Sequence, residues 1–322
     1  MLRSVPERQP EPAVAVADII TIDFLRKSLT QGQPYGTTGL MQKKDLLREM
    51  NQMGIVPSKK MGQNFLIDDN FLDWMIREAD LQVGDHILEV GPGFGALTSR
   101  MLTFDVRLTA IEFDRKLAEW LRHHLIPDGL NLIEGDACKV DIANIYGPQT
   151  EFKLISNLPY SAGTVVIANL LDLELPPTSM LVMLQKEVAM RFAADPGCED
   201  YGALTARIQS VYQVEILRII PPELFYPRPE IDSCVIRLTR RADMQSRELR
   251  KILSRLTRTA FAHRRKKMLK QIASVFGLES VTRAMTAANV DLDIRAERVT
   301  VSQFRQMAEI LEGESRTDIP SL

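Results

Sequence analysis

The sequence predicts an α/β fold with a doubly covered, mostly parallel sheet, followed by a small all-helical part. Three observations carry this. Short β-rich runs alternate with helical stretches over residues 59–241, a glycine-rich turn follows the first strong run, and no strand signal follows residue 242. Strand–helix alternation calls for parallel strands with helices on both faces. A chain of 322 residues is long enough for about two domains. Its 45% hydrophobic and 25% charged residues exclude a mostly disordered chain.

Residues 1–58 read as an N-terminal extension, partly flexible, rich in Pro, Gln, Ala and Gly. The stretch 31–39 is a loop by composition, and one amphipathic helix is expected near Lys43–Met53, ending at Gly54. In the block 59–241, seven β-rich runs follow one another: 86–90, 106–113, 130–136, 152–157, 180–185, 214–220 and 234–239. Helical stretches at 96–104, 116–125 and 164–173 separate the earlier runs. A long loop joins the last two, which suits an antiparallel final strand. Residues 242–322 read as three or four short helices.

Three cysteines, Cys138, Cys198 and Cys234, make no disulfide framework and show no C-x-x-C spacing. Four histidines complete no metal-ligand pattern with them, so no metal is expected. No apolar run of about 18 residues exists, and Glu7, Glu11 and Asp18 interrupt the N-terminal apolar stretch. The expectation is a cytoplasmic protein without a membrane partner.

The net charge of −2 hides an asymmetry. Residues 1–240 hold 24 basic and 32 acidic residues, whereas 241–322 hold 16 basic and 10 acidic. Between Arg247 and Lys270 ten residues are basic and only Glu248 is acidic. Scattered charge would read as a solvated helix face. This density favours a polyphosphate partner, such as a nucleic acid.

The run Ile87-Leu88-Glu89-Val90-Gly91-Pro92-Gly93-Phe94-Gly95 is a strand ending in a sharp turn before a helix. Glu112 ends the next run, where a carboxylate can accept from both hydroxyls of a ribose. Gly91, Gly93 and Ala96 also satisfy the loose dinucleotide fingerprint, so the turn alone leaves a nicotinamide cofactor and S-adenosylmethionine open. Three features favour the second. Glu89 before the turn suits a ligand carrying ammonium and sulfonium and would repel a pyrophosphate. The turn shows little sign of a phosphate nest. Gly135-Asp136-Ala137 ends the third run, where Asp136 can accept from an adenine amine.

Asn157-Leu158-Pro159-Tyr160 follows the fourth run. The amine of adenine is a poor nucleophile because its lone pair is delocalised into the ring. The Asn157 side-chain oxygen and the Leu158 carbonyl can accept its two N–H bonds and free that lone pair. Pro159 fixes the loop and restricts Leu158 to an extended conformation. Tyr160 offers a face on which a base can stack. A second loop, Phe225 to Ser233, carries Pro227, Arg228 and Pro229, and Phe225 could cover the other face of the base.

Together these motifs resemble the small-subunit ribosomal RNA adenine N6,N6-dimethyltransferase family. The resemblance runs from about Lys59 into the C-terminal region. It rests on Gly62-Gln63-Asn64-Phe65-Leu66, the Glu89–Gly95 turn, Glu112, Gly135-Asp136, Asn157–Tyr160, the Phe225–Ser233 loop and Phe261-x-x-Arg264-Arg265-Lys266. It implies a class I S-adenosylmethionine-dependent methyltransferase fold, Rossmann-like, with a seven-stranded sheet and a C-terminal helical RNA-binding domain. The implied reaction methylates N6 of two adjacent adenosines in the 3′-terminal hairpin of small-subunit RNA, late in subunit biogenesis. The implied partner is the immature small subunit and the implied state a monomer.

By motif, the resemblance gives Asn64, Leu66, Gly91, Glu112, Asp136 and Asn157 to the cofactor. It gives Asn157, Leu158 and Tyr160 to catalysis, and Tyr160, Phe225, Arg264, Arg265 and Lys266 to the RNA. The sequence departs from the family's pattern at Ser161-Ala162-Gly163-Thr164, which could loosen the helix start. Alternative readings are a large-subunit adenine methyltransferase of the macrolide-resistance type, a DNA adenine methyltransferase, an oxidoreductase, and a non-catalytic assembly or transcription factor on the same fold. The intact Phe261–Lys266 motif favours the small-subunit enzyme.

Overall fold

The computed structural model describes residues 43–57, 61–263 and 265–317, which lie in one compact unit. The central sheet has seven strands. In chain order these are β2 (His86–Val90), β3 (Arg107–Glu112), β4 (Asn131–Glu134), β5 (Lys153–Asn157), β6 (Ser179–Gln185), β7 (Tyr212–Ile220) and β9 (Ser233–Arg240). Their spatial order is β4-β3-β2-β5-β6-β9-β7. All pairs from β4 to β6 are parallel, and β9 runs antiparallel to both β6 and β7. The fold is therefore the class I methyltransferase arrangement that the sequence predicts, with an antiparallel last strand.

The inner strands are apolar almost throughout because helices cover both faces. Leu88 and Val90 point to one core, and Ile87 to the other. The helices start where a side chain satisfies their free N–H groups. Asp68 accepts from Phe71 N at the head of α2 (Asp69–Glu78), and Asp114 accepts from Lys116 N and Leu117 N at the head of α4 (Arg115–His124). Between them lies α3 (Thr98–Met101). Next come α5 (Ile142–Tyr146), α6 (Gly163–Leu170), α7 (Lys186–Phe192) and α8 (Ala203–Val211).

The expected extension 1–58 lies outside the described residues except for 43–57. There the helix α1 (Lys43–Met53) forms as the pattern predicts, with Gly54 at φ +58°. Leu46, Met50 and Ile55 bury themselves in the first core. Trp120 Nε1 donates to Glu49 Oε2 at 3.2 Å, and Lys116 Nζ donates to the carbonyls of Met53 and Gly54, which helix termination leaves unpaired.

The C-terminal part holds α9 (Arg247–Phe261), α10 (Met268–Phe276), α11 (Leu278–Ala287) and α12 (Val301–Thr317). Two of these are longer than the short helices expected, at 15 and 17 residues. They share a third core built on Leu253, Leu256, Met285, Phe304 and Met307. Tyr201 and Ala206 join this core from before β7, so α8 serves two cores at once. Among the described residues no helix is long and apolar enough to cross a membrane.

Candidate active site

The chain order of the sheet reverses between β2 and its neighbours β3 and β5, and ligands of open α/β sheets bind beyond the carboxyl ends of strands at such a point. A cavity of about 500 Å³ opens there. Its lining includes Asn64, Leu66, Gly91, Glu112, Asp136, Asn157, Leu158 and Tyr160, so one pocket gathers every residue expected at the cofactor or in catalysis.

The turn after β2 explains its glycines. Gly91 has φ +69°, and a Cβ there would lie 2.8 Å from Pro159 Cγ. Only a residue without a side chain lets the turn and the Asn157–Tyr160 loop approach this closely. Glu112 sits at the end of β3, 5% exposed. Its two oxygens accept from Gly93 N (3.1 Å) and Asp114 N (2.9 Å), which fixes the carboxylate. Burial nevertheless pushes its pKa up to about 7. Glu89 lies beneath the turn and accepts from Thr98 Oγ1 at 2.6 Å; burial raises its pKa to about 8. Asp136 is more open. The Cys138 N–H, at 2.9 Å, is the main cause that lowers its pKa, with Lys139 helping.

Asn157 ends β5. Its Nδ2 donates to the Asn64 carbonyl at 3.3 Å. A carbonyl can only accept, so this contact fixes which way round the amide lies. Oδ1 has no donor among the described residues. Leu158 N donates to Met183 O, and its side chain is buried, so the Leu158 peptide is held by the edge of β6 and the core. The Pro159 carbonyl accepts from Ala162 N and Gly163 N and starts α6. Tyr160 Oη meets Ser233 Oγ at 2.5 Å, and burial raises the phenol pKa.

The departure at Ala162-Gly163 has a packing reason. A Cβ on Gly163 would come within 2.9 Å of Leu184 Cδ2, so α6 packs closely on β6 there and a larger residue would require the Leu184 side chain to shift. The helix start is held by the hydrogen bonds from Ala162 N and Gly163 N to the Pro159 carbonyl.

Phe225 is placed elsewhere. It pairs with Leu66 in a two-stranded ladder, β1 (Phe65–Leu66) with β8 (Phe225–Tyr226), and its ring is buried in the first core. The structure does not bring it to the cavity. The ladder instead ties the Gly62–Leu66 motif to the Phe225–Ser233 loop. Arg265 and Lys266 are exposed in the turn between α9 and α10, away from the cavity, and Arg264 lies outside the described residues.

Several cavity residues escaped the sequence, Phe113 and Leu46 among them. Phe113, 58% exposed, lines the mouth beside Glu112; it reads as the last residue of a strand, and its exposure is the only signal. Leu46 of α1 also lines the cavity.

The cavity suits S-adenosylmethionine on its own chemistry. Glu112 offers a fixed carboxylate to a diol, Asp136 an acceptor to an amine, Phe113 an apolar face, and Glu89 a latent anion to a cation.

A family model described as ribosomal RNA adenine dimethylase matches residues 57–313. A protein of Clostridium acetobutylicum named ribosomal RNA small subunit methyltransferase A is 36% identical over 273 residues, covering 82% of this chain and 99% of its own length. A protein of the same name from Alkaliphilus metalliredigens is 36% identical over 255 residues, 77% of this chain and 89% of its own. Among solved structures, a dimethyladenosine transferase from Plasmodium falciparum shares the fold with a TM-score of 0.63 at 20% identity, covering 79% of this chain and 98% of that one. The 23S rRNA methyltransferase ErmE does so with a TM-score of 0.58 at 22% identity, covering 77% and 100%. With the match spanning both the sheet and the helices behind it, the chain belongs to the ribosomal RNA adenine dimethylase family.

Proposed function

We infer that the protein is an S-adenosylmethionine-dependent methyltransferase that dimethylates N6 of adenosines in small-subunit ribosomal RNA. The finer reading is that the targets are two adjacent adenosines of the 3′-terminal hairpin in an immature subunit, and that the enzyme acts as a cytoplasmic monomer. The relatives named for small-subunit methylation support the RNA class. In this reading residues 59–241 form the catalytic domain and 242–322 the RNA-binding one.

The observation that carries the chemistry is the fixed orientation of Asn157. Its N–H is committed to Asn64, which leaves Oδ1 as the acceptor for the target amine. The Leu158 carbonyl takes the second N–H. Two acceptors draw the amine towards tetrahedral geometry and place carbonyl dipoles where positive charge develops. Tyr160, steadied by Ser233, stacks the flipped base, whose extraction costs a few kcal/mol. Glu112 holds the cofactor ribose, Asp136 and Phe113 hold its adenine, and Asn64, Leu66 and Gly91 shape the remaining wall. The cofactor, when bound, supplies an electrophilic methyl group. The chain supplies placement, which can contribute about 7–11 kcal/mol of the barrier.

Asn157→Ala tests this. Cofactor affinity should stay within about twofold while single-turnover methylation falls by about 100-fold or more, the size of a lost preorganised contact. Near-normal turnover would remove Asn157 from the mechanism.

A further inference from the structure

Residues 61–66 lie outside the seven-stranded sheet, yet every one of them lines the cavity. On one side this segment meets the loop after β5. Ser161 Oγ donates to the Met61 carbonyl at 3.4 Å, Asn157 Nδ2 donates to the Asn64 carbonyl at 3.3 Å, and a Cβ on Gly62 would lie 3.0 Å from Tyr160 N. On the other side it meets the turn after β3, where Gln63 Nε2 donates to Asp114 Oδ2 at 3.1 Å. β3 and β5 flank β2 and do not pair with each other. Two strand spacings are about 9.5 Å, so the segment is a strap laid across the end of β2.

The strap joins two groups with different tasks. Asp114 N donates to Glu112 Oε1 at 2.9 Å, and Glu112 is the carboxylate offered to the cofactor ribose. The Asn64 carbonyl sets which way round the Asn157 amide lies. Gln63 stands between them. Asn64 Nδ2 donates to the Gly62 carbonyl at 3.3 Å, which closes a tight turn with Gln63 at its tip. Beyond Asn64 the chain is fixed by the β1–β8 ladder and by the Phe65 ring, which packs edge-on to Phe94 at 5.2 Å. Before Asn64, the anchor to the cofactor side is the Gln63 side chain.

We propose that Gln63 is a positioning residue for methyl transfer: its bond to Asp114 holds the Asn64 carbonyl, and through it the Asn157 amide, in register with the bound cofactor. The proposal rests on the transfer reaction argued above. Gln63 acts through Asn64 and not on the reacting atoms. A slack strap frees the Asn157 amide to turn over. It then presents N–H groups in place of Oδ1 to an amine that also offers N–H. Loss of such alignment costs rate in the transition state more than it costs binding.

The test uses the full chain as wild type, Gln63→Glu and Gln63→Glu/Asp114→Asn. Gln63→Glu sets two carboxylates against each other and opens the contact. The double variant rebuilds the hydrogen bond with donor and acceptor exchanged. The head of α4 survives in it, because Asp114 caps Lys116 N and Leu117 N through Oδ1 and Asn caps as well as Asp. Single-turnover methylation of undermethylated small subunits is read at saturating S-adenosylmethionine, and cofactor affinity is read by calorimetry without RNA. Gln63→Glu should slow transfer at saturation by about 10–100-fold while affinity stays within about threefold. The double variant should return to within about threefold of the wild-type rate. Where Gln63→Glu lowers the melting temperature, Gln63→Ala, which removes the contact without adding charge, takes its place and should show the same slowing. A wild-type rate at saturation, or a loss that saturating cofactor makes good, would overturn the proposal. So would a double variant as slow as Gln63→Glu, since the side chain would then act directly on cofactor or RNA. Should the wild type transfer no methyl group to small subunits, the function proposed above fails, and the strap is still read by NMR. The Asn157 side-chain amide signal, identified by its loss in Asn157→Ala, should move in Gln63→Glu and return in the double variant; an unmoved signal overturns the link.

Discussion

Burial keeps Glu89 a neutral acid well above the usual carboxylate range, with its pKa raised to about 8. The unfolded chain ionises near 4.5, so between about pH 4.5 and 8 the folded state holds a proton that the unfolded state has lost. Stability contributed by this group is complete below the unfolded value and falls as pH rises through 8. Glu112, raised to about 7, acts in the same direction. The melting temperature of the ligand-free protein should therefore decline from pH 5 to 8.5, and Glu89→Gln should flatten that decline. A cationic ligand favours the ionised form, so S-adenosylmethionine should displace a proton at pH 7. Calorimetry in buffers of different ionisation enthalpy reads this directly; binding without proton release would contradict the assignment of Glu89 to the cationic end. At this scale the sequence is informative because Glu112 and Asn157 end strands, Glu89 lies one residue before a strand end and Asp136 two residues past one, and strand ends converge. Phe113 shares that position but reads as one more apolar strand residue, and Leu46 carries no such mark because it reaches the cavity across the fold.

Among the elements, α1 changes most in meaning between sequence and structure. By composition it belongs to an extension, yet Leu46 walls the cavity and Glu49 accepts from Trp120, whose ring packs edge-on to Phe94 at 5.4 Å. Such a terminal helix opens at a lower free energy than the whole protein unfolds. Glu49→Ala removes a hydrogen bond worth about 1 kcal/mol. It should weaken cofactor binding about fivefold with little change in the main melting transition; an unchanged dissociation constant would make α1 a surface ornament. The seven strands are legible because parallel strands buried on both faces read as continuous apolar runs. The β1–β8 ladder is not, because two residues carry no periodicity and the pairing is set by Phe65 meeting Tyr226 across the chain. Phe225 illustrates the consequence. Its motif places it beside the site, while the ladder turns its ring into the core.

At the scale of the whole molecule, two chemistries occupy two regions. The sheet holds an open, mostly apolar cavity with four carboxylates, those of Glu89, Glu112, Asp114 and Asp136, and the helices behind it hold the surplus of cations. That separation is visible in charge counts alone. The position of the basic face of α9 against Asp172 is not, because it depends on how α6 ends and how Arg250 pins the chain beyond it. The central claim is that this arrangement dimethylates adenosine in small-subunit RNA, and it has a direct test. Purified protein and labelled S-adenosylmethionine are incubated with undermethylated small and large subunits separately, and the digested RNA is weighed. The account predicts N6,N6-dimethyladenosine from the small subunit alone. Label in the large subunit, or none in either while the cofactor still binds, would contradict it.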